Sequence, residues 1–404
     1  MVKPMVDKKK RWFIGVCIVL ALFLDGCMSS SSVPPSSPIP TILPSLTPGV
    51  ASPTPEPTPL PIPTLGTSLP DIPSFGVIYI CEKLPVTNLC LARFPNGEVR
   101  HLTDLPMSSR VTDFIVSPDH RWALYIRQSD HSFAGELWRV NLGSGDNQPI
   151  PRHPPRAVNG LAWSPTGEIA YITSPPDAPT IPTDRDELWL LSVSGTQSKH
   201  IIPFNPDDTI GWRWPRWSRD GRFLFINRFL SGEATQLTEQ SVLYALDVST
   251  QRLQRVARGV RLLDQTQDGK QLLLISYRDH SSQLWVMDWP LADPPRLLTP
   301  EGQSDAHAYW SSDGGRILFA SGKANIEGVS YQIWLMNADG GHRQALTRGP
   351  DALPQWLAGG GDRYVLFLKE RSNVPPNELH LLDLQTKRSW SLGLFVSGNY
   401  TSIP

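Results

Sequence analysis

The sequence has few of the residues from which metal and redox centres are built. Its 404 residues include four cysteines and nine histidines. The histidines are dispersed and form no His-x-His or His-Glu-x-x-His motif, the spacings typical of zinc sites. A glycine-rich, phosphate-cradling loop is missing as well. The sequence therefore predicts no metal and no cofactor.

An excess of charge is also absent. Lysine and arginine total 37 and aspartate and glutamate total 38, so the formal net charge is −1. Without a basic excess we expect no nucleic-acid partner. The apolar run at residues 12–24 has about 13 residues, fewer than the roughly 20 of a membrane-spanning helix.

Residues 1–27 have the features of an export signal. Basic residues 8–11 precede the apolar run, as in the n-region of a signal peptide. The run ends in Leu-Asp-Gly-Cys at residues 24–27, which resembles the lipobox of bacterial lipoproteins, although Asp25 departs from the small or apolar residue usual there. The resemblance implies that Cys27 is lipidated and becomes the new N terminus. An ordinary signal peptide or an uncleaved anchor is the alternative.

Proline is abundant and concentrated in residues 28–74, a Ser/Pro/Thr-rich segment. The 40 prolines of the chain are about twice average usage. Such a segment buries too little apolar surface to fold, and its prolines favour an extended chain. We predict a disordered tether that holds the rest of the protein on the order of 100 Å from a membrane.

Residues 75–404 contain an internal repeat. Residues 309–319 read Tyr-Trp-Ser-Ser-Asp-Gly-Gly-Arg-Ile-Leu-Phe, and imperfect copies begin near residues 116, 163, 217, 265 and 356. The Ser and Asp side chains can accept hydrogen bonds from nearby N–H groups, and the Gly supplies a positive φ, so each copy predicts a tight hairpin. A Leu-Trp-x-Met-Asp-like strand, a turn and a Leu-Thr strand follow each copy. Four antiparallel strands in each repeat predict an all-β fold, a β-propeller of four-stranded antiparallel blades.

The two ends of the repeat region are complementary. Residues 75–103 carry only the last three strands of a repeat, while residues 396–402 remain after the last complete repeat. We predict that this C-terminal strand supplies the missing inner strand and closes the ring. Seven blades follow, and six blades with an irregular edge are the alternative.

The pattern Trp-Ser-Pro-Asp-Gly followed by Leu-Trp-x-Met-Asp resembles the repeat of TolB-type, WD-repeat-like propellers. The same repeat occurs in the non-catalytic propeller of prolyl oligopeptidases. The resemblance covers residues 75–400 and implies the fold rather than a function, because TolB carries an α/β domain where this chain has the tether. No Gly-x-Ser-x-Gly motif of an attached hydrolase is found. We therefore assign no catalytic residue.

Cys81 and Cys90 are the only cysteines of the repeat region. Cys90 occupies the template position that holds a Trp or Tyr in most other repeats, and Cys81 follows the preceding strand. The two side chains can therefore face each other across a hairpin. Oxidising conditions outside the cytoplasm permit a disulfide, and two free buried thiols are the alternative.

One face of the predicted ring carries the long and variable connections. These are residues 153–158, 174–186, 205–213, 228–240, 321–330 and 369–377. Variable loops on a rigid scaffold are where binding usually occurs.

Six residues lead from that face into the inner strands, and we predict that they bind a ligand. They are Trp212, Arg213, Trp214, Arg216, Asp305 and His307. Aromatic rings beside an arginine stack on a sugar or clamp a peptide, and a His beside an Asp holds a polar group. The alternative is that the tryptophans pack between blades and that His307 is structural.

The functional hypothesis is an exported, lipid-anchored β-propeller on the outer side of the bacterial cytoplasmic membrane. It acts as a binding module for a protein, peptide or glycan on the long-loop face. The alternative is a hydrolase or lyase that acts on a glycan or lactone at the channel mouth. An enzyme requires two carboxylates, or a His with carboxylates, close together at the channel, whereas a binding module requires aromatic and Arg side chains without such a pair.

Overall fold

The computed structural model describes residues 72–83, 86–129, 135–150, 156–175, 186–192, 198–202, 210–230, 240–278, 281–290, 293–325, 328–370 and 377–404. These residues form strands joined by turns. Among them no helix is long and apolar enough to cross a membrane. The predicted signal segment 1–27, and the tether up to residue 71, lie outside the described residues.

The strands fall into groups of four in which each strand pairs antiparallel with the next. The first group is β1 (Phe75–Lys83), β2 (Val86–Phe94) and β3 (Glu98–His101) together with the C-terminal strand β28 (Tyr400–Ile403). The second and third groups are β4 (Ser109–Val116), β5 (Trp122–Ser129), β6 (Glu136–Asn141), β7 (Asn147–Pro149), and β8 (Ala157–Trp163), β9 (Ile169–Ser174), β10 (Glu187–Leu191), β11 (Ser198–Ile202). The fourth and fifth are β12 (Ile210–Trp217), β13 (Phe223–Leu230), β14 (Val242–Asp247), β15 (Arg252–Arg258), and β16 (Val260–Gln265), β17 (Gln271–Arg278), β18 (Ser281–Asp288), β19 (Arg296–Leu297). The sixth and seventh are β20 (Ser304–Trp310), β21 (Arg316–Asn325), β22 (Gly328–Asn337), β23 (Gln344–Ala345), and β24 (Asp351–Trp356), β25 (Tyr364–Lys369), β26 (Asn377–Asp383), β27 (Arg388–Val396).

The fifth and sixth groups are joined into one eight-stranded sheet. A single parallel pair, Ser282 of β18 with Ser304 of β20, connects them. Chain order thus gives seven groups of four strands, whereas hydrogen bonding gives six sheets. The number of blades therefore stays a prediction.

The repeated Ser-x-Asp-Gly sequence forms the hairpin between the first two strands of a group. At residues 311–316, Ser311 Oγ donates to Asp313 Oδ1 over 2.6 Å and the N–H of Gly315 donates to the same oxygen over 2.8 Å. Gly314 has a φ of 70°, a value that favours glycine. These hydrogen bonds, with the Ser311 hydroxyl as the largest cause, lower the pKa of Asp313. Ser311 and Asp313, whose polar side chains are of the types found in functional sites, therefore stabilise the turn.

The hydrophobic core lies between neighbouring groups. One cluster joins Leu273 of β17 and Leu284 of β18 to Trp310 of β20 and Phe319 of β21. All six residues of β9 are buried, as expected for a strand whose sheet is covered on both faces. This packing explains why apolar and polar residues alternate only partly in the sequence.

The C-terminal strand pairs with the first strand of the chain. Gly76 faces Ile403 and Tyr79 faces Tyr400 in the antiparallel register of β1 and β28. In the same group a disulfide joins Cys81 to Cys90, with their Cα atoms 5.8 Å apart. The first group therefore receives both the strand and the cross-link that the sequence indicated for it.

One predicted long loop is largely regular structure. Within residues 321–330, the described residues extend β21 and β22 into a hairpin in which Asn325 pairs with Gly328. The prediction of a loop here is wrong because the two strands continue to pair beyond the body of their group. The other predicted loops lie mainly outside the described residues.

Candidate functional site

Trp212 is part of the core. Its side chain is 8% exposed, and its ring meets the Tyr244 ring edge to face with the centroids 6.1 Å apart. It belongs to a cluster that joins the third and fourth groups. This placement favours packing between blades over ligand contact for this residue.

Arg213 forms a buried ion pair with Asp186, which directly precedes β10. Arg213 Nη1 lies 2.6 Å from Asp186 Oδ2, and the two side chains are 6% and 0% exposed. Asp186 also accepts hydrogen bonds from the Ser174 hydroxyl and from the Trp212 N–H. Burial lowers the pKa of Arg213, and the Asp186 charge opposes that shift. Arg213 thus holds the third and fourth groups together.

Asp305 and His307 are placed apart, although the sequence predicts that they act together. The Asp305 carboxylate is 1% exposed and accepts a 2.6 Å hydrogen bond from the Ser321 hydroxyl. Burial raises its pKa. His307 is half-buried, and no hydrogen bond or ion pair joins the two described side chains. The predicted His–Asp pair is therefore not formed.

Bulges in the inner strands cause this separation. In β12 a bulge lies between Arg213 and Arg216, and in β20 one lies between Ala306 and Tyr309. Trp214 and His307 occupy these bulges with φ of 55° and 48°, values that cost an L-residue on the order of 1–3 kcal/mol. A bulge changes the direction of the side chains that follow it. Trp214 and His307 are therefore aimed away from the neighbours they would share in a regular strand.

The Trp214 bulge packs closely against the third group. Pro215 follows Trp214, and a Cβ placed on Gly160 of β8 would lie 2.9 Å from Pro215 Cδ. The Trp214 ring itself meets the Phe229 ring edge to face, with the centroids 5.1 Å apart. A residue without a side chain at position 160 thus allows the bulge to fit.

Five side chains from three consecutive inner strands, β12, β16 and β20, interact through ring stacking or charge. We call them the inner-strand cluster; they are Trp214, Arg216, Arg261, His307 and Tyr309. The Arg261 guanidinium carbon lies 4.6 Å from the centre of the Trp214 ring, a cation–π distance. Arg216 is exposed, while the other four are half-buried. The cluster therefore combines two aromatic rings, two cations and one imidazole.

The charges of the inner-strand cluster act on one another. Burial first, and then the Arg216 charge, lowers the pKa of Arg261 to about 10. Burial, with Arg261 as the second cause, lowers the pKa of His307 to about 4, so this ring is neutral at pH 7. Burial raises the pKa of Tyr309, and the charges of Arg216 and Arg261 oppose that shift. The cluster is therefore positively charged at neutral pH.

The carboxylates of the described inner strands near this cluster already have partners. Asp264 of β16 lies 3.1 Å from Arg219 Nη2 and accepts the Trp310 N–H over 2.9 Å. Asp113 of β4 accepts a 3.0 Å hydrogen bond from Asn399. Burial raises the pKa of each carboxyl group. Asp113 and Asp264 do not lie on adjacent inner strands, because β8 and β12 come between β4 and β16 in the order of the groups.

Comparisons with known proteins bear on the fold. No protein-family model matches the chain, and no curated protein matches it. Among solved structures, a prolyl endopeptidase is 13% identical with a TM-score of 0.58 over 82% of this chain and 50% of the other. An acylaminoacyl peptidase is 13% identical with a TM-score of 0.52 over 76% and 48%. The chain is a β-propeller.

The similarity reaches the fold and no further. A putative TolB from Agrobacterium tumefaciens is also similar, at 17% identity and a TM-score of 0.44 over 68% of this chain and 89% of the other. The chain spans about half the length of the two peptidases. The prediction of an all-β propeller is confirmed at the level of the fold, with antiparallel four-stranded sheets.

One group of side chains in the propeller has the composition of a catalytic triad. Ser391 Oγ donates to Glu378 over 2.5 Å, and His380 Nε2 lies 3.3 Å from the same carboxylate. The order is wrong for a triad, in which the His lies between the Ser and the acid. Glu136 and Glu187 hold the indole N–H of the Trp two residues later in the same way, over 3.0 and 3.2 Å. Glu378 and His380 therefore repeat a scaffold contact.

A histidine lies beside the disulfide of the first group. His101 Nδ1 is 3.6 Å from Cys90 Sγ, and among the described residues His101, Cys81 and Cys90 are the set of metal-ligating types that lie close together. This contact was not predicted from the sequence, because it depends on the register in which β3 places His101 opposite Cys90. Because the two sulfur atoms are bonded to each other, neither is a thiolate, which is the form of cysteine that binds a metal.

Sequence reasoning missed Arg261 and Tyr309. Both lie in columns of the aligned repeats that hold other site residues. Arg261 stands five residues before Thr266, as Arg213 stands before Ser218, and Tyr309 directly precedes a Trp, as Arg216 does. A comparison of the residues that precede each hairpin in the aligned repeats could therefore have identified Arg261 and Tyr309.

Proposed function

We propose that the protein is an exported, lipid-anchored β-propeller that acts as a binding module, with its ligand or partner engaging the inner-strand cluster. The convergence of Trp214, Arg261 and Tyr309 from three inner strands carries this proposal. Aromatic faces and guanidinium groups supply binding energy without proton transfer. Among the described residues of the cluster, no histidine is paired with a carboxylate.

The proposed partner is a protein, a peptide or a glycan. Trp214 offers a flat apolar surface on which a proline, an aromatic ring or a sugar ring can stack. Arg216 and Tyr309 offer polar groups beside it. A site with one stacking surface and a few directed polar groups is typical of a pocket that fixes the orientation of its ligand.

A hydrolase or lyase acting on a glycan or lactone is the second candidate function. Asp264 and Asp113 are half-buried carboxylates of the described inner strands, and burial favours a protonated form of each, as a general acid requires. The partners already held by both groups favour the binding module. Conversion of a bound ligand into a product by the wild-type protein would decide for the enzyme.

Replacement of Trp214 tests the binding function. Peptide and glycan arrays probed with the full chain identify ligands, and the affinity for the best of them is then measured by calorimetry. We expect Trp214→Ala to weaken binding at least about tenfold, since a lost aromatic stack costs on the order of 1–3 kcal/mol. Trp163→Ala is the control, because Trp163 is also half-buried but donates its indole N–H to Gly167 in the hairpin at the opposite end. Equal affinities for wild type and Trp214→Ala would contradict the proposal.

The anchor is tested separately at Cys27. We expect the wild-type protein to incorporate labelled palmitate and to fractionate with membranes, and its processing to stop when the lipoprotein signal peptidase is inhibited by globomycin. Cys27→Ala removes the acylated thiol and should abolish the label, whereas Cys17→Ala within the apolar run should not. An unlabelled wild-type protein would refute the lipid anchor and leave the binding function untouched.

A further inference from the structure

Arg213 and Arg261 hold equivalent positions in consecutive inner strands. In the strand pairing of their groups, Arg213 faces Asn227 and Arg261 faces Ile275, and each precedes its hairpin Ser or Thr by five residues. Each side chain reaches toward the preceding group: Arg213 contacts Asp186, and Arg261 covers the Trp214 ring. The two positions therefore form a natural comparison.

The two arginines differ in what balances their charge. Arg213 has the Asp186 carboxylate at 2.6 Å. No carboxylate of the described residues lies within ion-pair distance of Arg261, and the charge that acts on it most strongly is the like charge of Arg216. A partly buried cation without a counter-charge costs free energy, and proteins usually pair such a group or neutralise it. The like charge of Arg216 adds to this cost for Arg261, whereas Arg216 itself interacts with the Asp264 carboxylate.

The groups around Arg261 are suited to an anion. Stacking on Trp214 covers the face of the guanidinium and leaves its N–H edge free to donate, which is the geometry that binds a carboxylate through two hydrogen bonds. The Arg261 charge also acts on Tyr309, where it opposes the rise that burial causes in the pKa of the hydroxyl. His307 is neutral there at pH 7 and can donate a hydrogen bond without a change in charge.

We propose that Arg261, with Arg216 and Tyr309 beside it, binds the carboxylate of a peptide ligand that enters between the inner strands. The ligand carboxylate takes the place that Asp186 fills for Arg213. A chain terminus and an acidic side chain both present this group. The inference rests on the proposed binding function and adds the chemical class that the site selects.

The test uses the full chain and four probes. They are acetyl-Gly-Gly-Gly-Ala with a free C-terminal carboxylate, the same peptide as its amide, acetyl-Gly-Gly-Gly-Asp-amide, and inorganic phosphate. Ligand-observed NMR titration measures each dissociation constant. We expect at least one of the two carboxylate peptides to bind at least about tenfold more tightly than the uncharged amide, because charged hydrogen bonds are the stronger ones. The stronger of the two identifies a terminus or a side chain as the source.

Arg261→Met removes the charge and keeps the length of the side chain. We expect it to weaken carboxylate binding at least about tenfold, and Arg261→Lys, which keeps the charge but loses the paired N–H edge, to weaken it less. Arg139→Met is the matched control, since Arg139 covers the Trp122 ring at 5.1 Å in another group. Arg139→Met should bind the probes as the wild type does.

Melting temperature separates a binding role of Arg261 from a structural one. Arg261→Met relieves an unbalanced charge, so it should melt at or above the temperature of the wild type, while the equivalent Arg213→Met should melt lower. A lower melting temperature for Arg261→Met would overturn the inference, as would equal binding of the amide and both carboxylate peptides, preference for phosphate, or no binding. None of these results would contradict the proposed binding function itself, which the array test with Trp214→Ala examines independently.

Discussion

A chain that ends at Asn399 is expected to melt about 10 °C or more below the full chain. The deletion removes β28 from the inner edge of the first group and exposes the backbone of β1, whose Gly76 and Tyr79 pair with Ile403 and Tyr400 in the full chain. Tyr400 and Ile403, each 2% exposed, are lost from the core, and truncation of one such side chain alone costs about 2–5 kcal/mol. A loss on the order of 5 kcal/mol shifts the melting temperature of a domain this large by about 10 °C.

Hydrogen bonds to the seventh group add to this loss. Gln355 Nε2 donates to the Tyr400 carbonyl over 2.7 Å, and the Ala358 N–H donates to Ser402 Oγ over 2.9 Å. The deletion leaves both donors without these acceptors. Removal of the exposed Pro404 alone is the control and should not change the melting temperature, because Pro404 follows the last paired residue.

Two substitutions of Tyr400 separate the contribution of its hydroxyl to stability from that of its whole side chain. Tyr400→Phe removes the hydroxyl that donates to the Leu353 carbonyl and should cost about 1 kcal/mol, whereas Tyr400→Ala should cost about 3–5 kcal/mol. Thermal unfolding followed by circular dichroism measures all these variants. A truncated chain as stable as the full chain would show that β28 does not close the ring.

Asp186→Asn is expected to destabilise the protein by about 3 kcal/mol. The substitution keeps one side-chain oxygen, which can accept from the Ser174 hydroxyl or from the Trp212 N–H, and removes the charge that balances Arg213. Breaking a fully buried pair leaves one charge uncompensated, which costs on the order of 3–5 kcal/mol. Urea denaturation, with the slope checked for constancy, measures the change in the free energy of unfolding.

Arg213→Met in the same background should recover part of that loss. In the double variant no charge is left uncompensated, so the coupling between the two substitutions should be favourable by more than about 1 kcal/mol. Lys270→Met is the control: its ammonium lies 3.7 Å from Asp268 on the surface, and removal of such a pair should have no measurable effect. Strictly additive effects of Asp186→Asn and Arg213→Met would show that the pair does not act as a unit.

The sequence was sufficient to predict the scaffold because its signals are local and repeated. The turn at residues 311–316 needs only its own Ser, Asp and Gly, and the same hydrogen bonds recur between Ser218 and Asp220 and between Thr266 and Asp268. The partner of the C-terminal strand was also predictable, because residues 75–103 lack one strand of the repeat. Repetition converts several weak local signals into one strong prediction.

The candidate site was less predictable because bulges break the alternation of side chains along a strand. Residues i and i+2 share a face in a regular strand, so a regular strand would place Asp305 beside His307 and Trp212 beside Trp214. The bulges turn His307 and Trp214 toward the inner-strand cluster and leave their partners in the core. Arg261 was missed for a different reason. The equivalent Arg213 has a carboxylate partner, whereas Arg261 has none within ion-pair distance among the described residues, and only the structure shows this difference.

The parallel pair between β18 and β20 joins two neighbouring groups of strands. Ser282 faces Ser304 across this seam, and the buried Ser282 hydroxyl donates to the Asp305 carbonyl over 2.6 Å. The fifth and sixth groups are therefore joined by backbone pairing as well as by the packing of their side chains. Arg261 and His307 of the inner-strand cluster lie in these two joined groups, whereas Trp214 and Arg216 lie in the fourth group.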